Sequence, residues 1–181
     1  FDPLAAIFAS AIADPVYAKD ATGRVYPTLA DGMPTVEDGQ TVVRLRPGLR
    51  SGRGIALGGR DLAWSAVRAR KRGAIALFAE VTPWIKSDPD APLLARFGEV
   101  EPGKLARILA SPLCSLLPVG FDATAPDGTG AFVASCSPGR MRLERNPFAA
   151  RGPSFLEAIE VTSAVDLAAG LRSFESGKSD A

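Results

Sequence analysis

The sequence contains no histidine and only two cysteines, and these absences narrow the chemistry that it can perform. Histidine is the commonest general base near neutral pH and the commonest metal ligand, so its absence argues against hydrolytic or metal-dependent catalysis. The cysteines are too far apart for a C-x-x-C redox or zinc motif. No nucleophile elbow and no cluster of carboxylates is recognisable either, so we expect no enzyme, no metal site and no cofactor.

A strong charge imbalance and long apolar runs are also missing. The 21 basic and 20 acidic residues leave a net charge of +1, which predicts neither a basic footprint for nucleic acid nor a polybasic membrane patch. No apolar run approaches the roughly 20 residues needed to cross a bilayer. What remains, with 46% hydrophobic and 23% charged residues in a chain of 181, is the composition of an ordinary globular protein of one or two domains.

The most informative stretch, residues 39–68, predicts a strand, a glycine-rich turn and the start of a helix. Gln40–Arg46 alternates between apolar and polar side chains and ends at a Pro-Gly pair, as a half-buried strand does. An amphipathic helix begins near Asp61, whose side chain we expect to accept N–H groups of the following turn. The preceding glycines resemble a dinucleotide-binding turn, but the second strand and acidic ribose ligand of that motif are not recognisable.

Similar patterns predict further elements along the chain. The stretch from residue 74 to 81 is apolar but ambiguous in type, and 31–39 is expected to be a loop. Helices are predicted over Phe1–Ala13, over Gly103–Ala110 and after Ser163, where Leu167, Leu171 and Phe174 are expected to form one buried stripe. Strands are predicted at Leu113–Leu117, Phe132–Ser135, Met141–Arg145 and Phe155–Val161.

A series of short motifs is similar in content and order to the solute-binding proteins of ABC transporters, in the branch that binds oligopeptides, dipeptides and nickel. The series covers nearly the whole chain, and no single motif in it is specific. It consists of Gly23–Ala30 (GRVYPTLA), Glu37–Thr41 (EDGQT), Leu45–Gly48 (LRPG), Arg60–Leu62 (RDL) with Ser65 and Arg68, Asp127–Phe132 (DGTGAF), Leu143–Pro147 (LERNP) and Phe174–Asp180 (FESGKSD).

The resemblance implies an α/β fold, a periplasmic-binding-protein-like lobe with a mixed β-sheet flanked by helices and a small inserted subdomain. Residues 1–30 and 118–181 would form the main lobe, and 31–117 the small α+β subdomain. Members of the family continue into a second lobe, which is absent from these 181 residues. Their ligand lies in the cleft between the two lobes.

By position in the family, the strand that lines this cleft corresponds to Ala13–Val16, so Asp14, Val16 and the adjacent Tyr17 are the candidate ligand-binding residues. Trp84 is a further candidate, since an aromatic side chain can stack on a solute. The alternative for Val16, Tyr17 and Trp84 is that they pack in the core. Pro15 has no N–H to donate, which puts recognition of a peptide main chain at this strand in doubt.

The expected function is therefore reversible binding of a small, peptide-like solute for delivery to an ABC permease in the membrane. The resemblance implies a periplasmic or extracellular location, with or without a membrane anchor, and no nucleic-acid partner. Three departures from the family pattern, at Pro15, at Arg53 and at the pair Gly58-Gly59, leave an alternative open. In that alternative the chain is a truncated or degenerate member that acts as a structural or interaction module without transport.

The cysteines leave two alternatives open. An exported protein could join Cys114 and Cys136 in a disulfide, since both are expected at strand positions. Two buried free thiols are the other possibility.

Overall fold

The computed structural model describes residues 3–72, 74–78, 84–162 and 166–180. These residues form four α-helices, nine short strands and two 3-10 helices. In chain order the elements are α1 (Pro3–Ile12), β1 (Tyr17–Lys19), β2 (Val25–Pro27), β3 (Thr35–Glu37), β4 (Gln40–Arg44), α2 (Gly59–Lys71), a 3-10 helix (Ile75–Phe78), β5 (Ile85–Ser87), β6 (Leu94–Phe97), α3 (Pro102–Leu109), a second 3-10 helix (Pro112–Cys114), β7 (Phe132–Ser137), β8 (Arg140–Arg145), β9 (Ala158–Thr162) and α4 (Leu167–Glu175).

The strands make three sheets, and every ladder among the described strands is antiparallel. β1 and β2 form a hairpin, β3, β4, β6 and β5 form a four-stranded sheet in that order, and β7, β8 and β9 form a meander. The predicted strands at β4, β7 and β8 are therefore confirmed. β8 alternates as expected: Leu143 is wholly buried, whereas its neighbours Arg142 and Glu144 are exposed.

Two hydrophobic clusters hold these elements together. The larger one joins the β1–β2 hairpin, the four-stranded sheet, α2 and α3. Its members include Val16 and Leu29, which precede the expected boundary at residue 30, and Val43, which follows it, so residues on both sides of that boundary share one core. The smaller cluster is made by Phe132, Ala134 and Leu143 of the meander, with side chains from the end of α1 packed against it. The division into main lobe and subdomain stays a prediction.

Two predicted segments have a different structure. Leu113–Leu117 is not a strand: Pro112–Cys114 forms a 3-10 helix, which Ser111 begins by accepting the N–H of Leu113. The expected loop at 31–39 contains strand β3, which pairs with β4 through a turn at Asp38-Gly39. Both dihedral angles φ in this turn are positive, as a tight hairpin requires. Composition predicted the turn and missed the short strand before it.

Gly58 and Gly59 are closely packed at the start of α2. A Cβ atom on Gly59 would clash with the carbonyl oxygen of Leu94. A Cβ atom on Gly58 would lie 2.5 Å from the carbonyl oxygen of Pro92, which is also too close. The N–H of Gly59 donates to that Pro92 carbonyl over 2.8 Å. The pair therefore lets the chain before β6 pass directly against the start of α2.

Asp61 stabilises the start of α2 in a different way from the one expected. Gly58 is the N-cap, and the Asp61 carboxylate accepts the N–H of Gly58 at 2.9 Å rather than an N–H of the following turn. Its other oxygen accepts the N–H of Val119 at 2.9 Å. One carboxylate thus fixes both the helix start and the segment that follows the second 3-10 helix.

The apolar stripe on α4 is not buried among the described residues. Leu167, Leu171 and Phe174 are 81%, 52% and 54% exposed, and α4 has no buried residue. The helix itself is well formed: Asp166 caps it by accepting the N–H of Ala169. Ser163, after which the sequence predicted this helix, lies outside the described residues.

Candidate functional site

The candidate site is organised around Asp14, which lies between α1 and β1 and is 7% exposed. Its backbone is held on both sides: its N–H donates to the Thr129 hydroxyl at 3.0 Å, and its carbonyl accepts the N–H of Leu116 at 3.0 Å. The segment before β7 thus fixes Asp14 across more than a hundred residues of sequence.

The Asp14 carboxylate has one hydrogen bond and two cationic neighbours. Oδ2 accepts the Thr129 hydroxyl at 3.2 Å, and Oδ1 lies 3.8 Å from the guanidinium of Arg151. Burial raises the pKa of Asp14, while the Thr129 hydroxyl and the charges of Arg151 and Arg46 act in the opposite direction. The carboxylate is therefore partly compensated, and its closest cation, Arg151, is 61% exposed.

A pocket of about 290 Å³ opens beside this pair. Its polar lining side chains are Asp14, Arg151, Ser10 near the end of α1, and Ser154 in the loop before β9. The pocket therefore offers a carboxylate, a guanidinium and two hydroxyls to a small polar molecule.

The backbone around Pro15 is already occupied within the fold. The Pro15 carbonyl accepts the Thr28 hydroxyl at 2.5 Å, and the Val16 carbonyl accepts the N–H groups of Thr28 and Leu29 at 3.0 and 3.1 Å. Together with the bonds of Asp14, these leave few main-chain groups for a ligand. A ligand at this strand would have to be recognised mainly by side chains.

The other candidate residues lie in different surroundings. Val16 and Tyr17 are wholly buried in the larger hydrophobic cluster, and the Tyr17 hydroxyl donates to the Gly32 carbonyl at 3.1 Å. Trp84 is half-buried just before β5, with the Lys86 ammonium 5.6 Å from its ring centre, and does not line the pocket. The structure brings only Asp14 to the pocket, and ligand roles for the other three stay predictions.

Cys114 and Cys136 are both free in the structure, and no disulfide joins them. Cys114 is buried in the larger cluster, and burial raises the pKa of its thiol to about 12. Cys136 is exposed on β7. Neither cysteine lines the pocket.

Two residues of the site, Thr129 and Arg151, were missed from the sequence. Thr129 lies in the DGTG turn, which carried part of the family resemblance, and Arg151 follows the LERNP motif. Nothing local distinguishes either side chain, because both meet Asp14 only through the fold. Within the described part of the chain, no three His, Cys, Asp or Glu side chains are grouped as a metal site would need. In the same residues, no helix has the length and hydrophobicity to cross a membrane.

No protein-family model and no characterised protein sequence matches the chain. Solved structures do match it. NikA from Staphylococcus aureus in complex with Ni(L-His)2 has a TM-score of 0.76 at 16% identity over 95% of this chain. A nickel ABC transporter protein from Bacillus halodurans has a TM-score of 0.75 at 23% identity over 96%. Listeria monocytogenes OppA bound to peptide has a TM-score of 0.77 at 16% identity over 98%.

These likenesses define the fold. The chain adopts the α/β fold found in ABC-transporter substrate-binding proteins, as the sequence motifs led us to expect, and the similar structures are transport proteins rather than enzymes. The chain spans 38%, 37% and 42% of the length of these three proteins, so it corresponds to a part of their architecture.

Proposed function

We propose that the chain is the first lobe of a substrate-binding component of an ABC importer, and that it holds a small, peptide-like solute against the Asp14–Arg151 pocket. One combined observation supports the proposal. Almost the whole chain has the fold of a peptide-binding protein, and a polar pocket lies beside the strand that was expected to line the cleft. In this proposal the second lobe closes over the solute by a hinge motion, and the closed form delivers it to the permease.

The pocket supports recognition by side chains. Arg151 is largely exposed and only loosely paired with Asp14 at 3.8 Å, so it can turn towards a carboxylate of the solute. Asp14, Ser10 and Ser154 would receive amine or amide donors. A solute with both kinds of group, such as a short peptide, satisfies this set.

The exposed apolar side chains near the end of the chain support a further lobe. Phe155 is fully exposed, and Leu156 and the α4 stripe are also largely exposed. A concentration of this kind is typical of surfaces that contact other protein. In our proposal the rest of the binding protein covers it.

The alternative, an interaction module without transport, was suggested by three departures from the family pattern, at Pro15, at Arg53 and at Gly58-Gly59. The structure gives a reason for the last two. Gly58 and Gly59 are needed where the backbone of Pro92–Leu94 passes them. Arg53 forms hydrogen bonds inside this chain: its backbone N–H donates to the Asp127 carboxylate at 3.2 Å, and its guanidinium donates to the Ala125 carbonyl. Both departures therefore have structural reasons that leave solute binding possible.

Solute binding is tested on the protein at its native length by native mass spectrometry, with a mixture of synthetic di- and tripeptides and, separately, a nickel–histidine complex as probes. We expect one bound solute per protein. Arg151→Ala should weaken its affinity roughly tenfold to a hundredfold, the usual effect of losing a charged hydrogen bond. Arg140→Ala, which changes an exposed arginine at the β7–β8 turn, is the matched control and should bind normally.

Failure of every probe to bind, or equal affinities for the two variants, would contradict the proposal. An immunoblot of the source cells tests the second lobe separately. A band much heavier than these 181 residues is expected, whereas a band at their mass would favour the interaction module.

A further inference from the structure

The overall net charge of +1 conceals a local excess of positive charge. Residues 60–87 contain six basic and two acidic residues. Of the two acids, Asp61 is engaged at the start of α2 by the N–H groups of Gly58 and Val119, and Glu80 lies outside the described residues. The remainder of the chain has 15 basic and 18 acidic residues and is net acidic, so the excess of positive charge lies within residues 60–87.

Helix α2 carries much of this charge on its outer face. Arg60, Trp64, Arg68 and Lys71 recur at intervals of four, four and three residues, so they share one side of the helix. The opposite side, which includes Leu62 and Ala66, is buried. The Arg68 guanidinium lies 5.9 Å from the ring centre of Trp64 and 5.1 Å from that of Phe121. The outer face is thus both basic and aromatic.

Exposed apolar side chains follow directly after this helix. The 3-10 helix presents Ile75, which is 68% exposed, and Leu77, which is 39% exposed. Lys86 of β5 lines a groove of about 410 Å³ together with Trp64 and Val67 of α2. Cations, aromatic rings and exposed aliphatic side chains therefore lie on three neighbouring elements.

We propose that this surface, the basic–apolar face made by Trp64, Arg68, Lys71, Arg72, Ile75 and Lys86, binds the anionic headgroups of a phospholipid membrane. Anionic lipids attract Lys and Arg near the bilayer surface, and each such residue adds to the affinity. Tryptophan favours the interface between headgroups and hydrocarbon, where Ile75 and Leu77 could insert shallowly. The cations are spread over several elements, which suits an extended charged surface better than a single acidic peptide.

This inference goes beyond solute binding, and its test needs no solute. The native-length protein is sedimented with vesicles of equal parts phosphatidylglycerol and phosphatidylcholine, and with vesicles of phosphatidylcholine alone. We expect binding to the mixed vesicles that weakens as salt is raised, and little binding to the neutral ones. Lys71→Gln with Arg72→Gln should reduce the affinity about 25-fold, since each cation contributes about fivefold.

A matched control is Lys19→Gln with Arg24→Gln, which removes one exposed lysine and one exposed arginine from the β1–β2 hairpin. This variant should bind the mixed vesicles within about twofold of the unmodified protein. Ile75→Ser with Leu77→Ser should also weaken binding, at every salt concentration. Equal losses in the two charge variants, no preference for anionic vesicles, or tighter binding to polyglutamate or to a single-stranded oligonucleotide than to vesicles would overturn the proposal.

Discussion

Helix α3 buries Leu105, Ile108 and Leu109, whereas helix α4 leaves Leu167, Leu171 and Phe174 exposed. Both helices are short, both are capped by an acidic side chain and both have apolar residues at helical spacing. α3 packs into the larger hydrophobic cluster, and α4 has no buried residue among the elements described.

This difference shows what an apolar stripe can and cannot indicate. The spacing of apolar residues identifies the side chains that share one face of a helix, but it does not show which part of the protein covers that face. For α3 the covering surface lies within the first 117 residues. For α4 we propose that it lies in the rest of the binding protein.

The sharpest test of this comparison is a pair of leucine substitutions. Leu109→Ala should lower the free energy of unfolding by roughly 2–5 kcal/mol, because it leaves a cavity in a close-packed core. Leu171→Ala should change it by less than about 0.5 kcal/mol in this chain, because the side chain is already half exposed. Urea denaturation of both variants measures the difference, and similar losses would mean that α4 is packed here after all.

A second test concerns the close packing at the start of α2. Gly59→Ala should destabilise the chain by about 1–3 kcal/mol, because the new Cβ would displace the backbone of Leu94, which cannot move as a side chain can. Gly103→Ala in α3 is the control: there the Cβ meets only the end of the flexible Glu101 side chain, and alanine favours a helix. A near-neutral Gly59→Ala variant would show that the Pro92–Leu94 segment is not held against α2.

The smallest expected effect is the pH dependence of stability at Asp14. Burial raises its pKa in the folded state above the usual 3.8, so the folded chain holds this proton more tightly than the unfolded chain. The corresponding stability is present below that value and is lost as the pH rises through the folded-state pKa. Asp14→Asn should remove this decrease, which is measured as the difference in unfolding free energy between variant and unmodified protein across the acidic range.

Asp20 is the control with the opposite sign. The Thr22 hydroxyl and the Arg24 N–H lower the pKa of this exposed carboxylate, so its contribution is present above the unfolded-state pKa and is lost on acidification. Asp20→Asn should remove that loss. If the two variants shifted stability in the same direction with pH, the assignment for Asp14 would be incorrect.

Much of the local structure could be predicted from the sequence. Alternation predicted β4 and β8, and helical spacing predicted α1 and α3. The short strands β3, β5 and β6 could not be predicted in the same way. With three or four residues each, they are too short for a periodicity to emerge, and their pairing partners lie elsewhere in the chain.

The candidate site was only partly predictable. Asp14 followed from its position relative to the family motifs, whereas Val16 and Tyr17, two and three residues further along the chain, lie in the core. Thr129 and Arg151 reach Asp14 across more than a hundred residues. Without the fold there is no reason to group these side chains.

The sequence by itself determined the secondary structure of several longer periodic segments and the class of fold, because the first depends on local spacing and the second was indicated by short motifs whose order resembles that of the family. Only the tertiary structure showed that the apolar face of α3 is covered and that of α4 is exposed. It also showed where glycine is required by close packing, and which polar side chains meet at the pocket. Each of these depends on the distance between groups that are remote in sequence, such as Gly59 from Leu94 or Asp14 from Arg151.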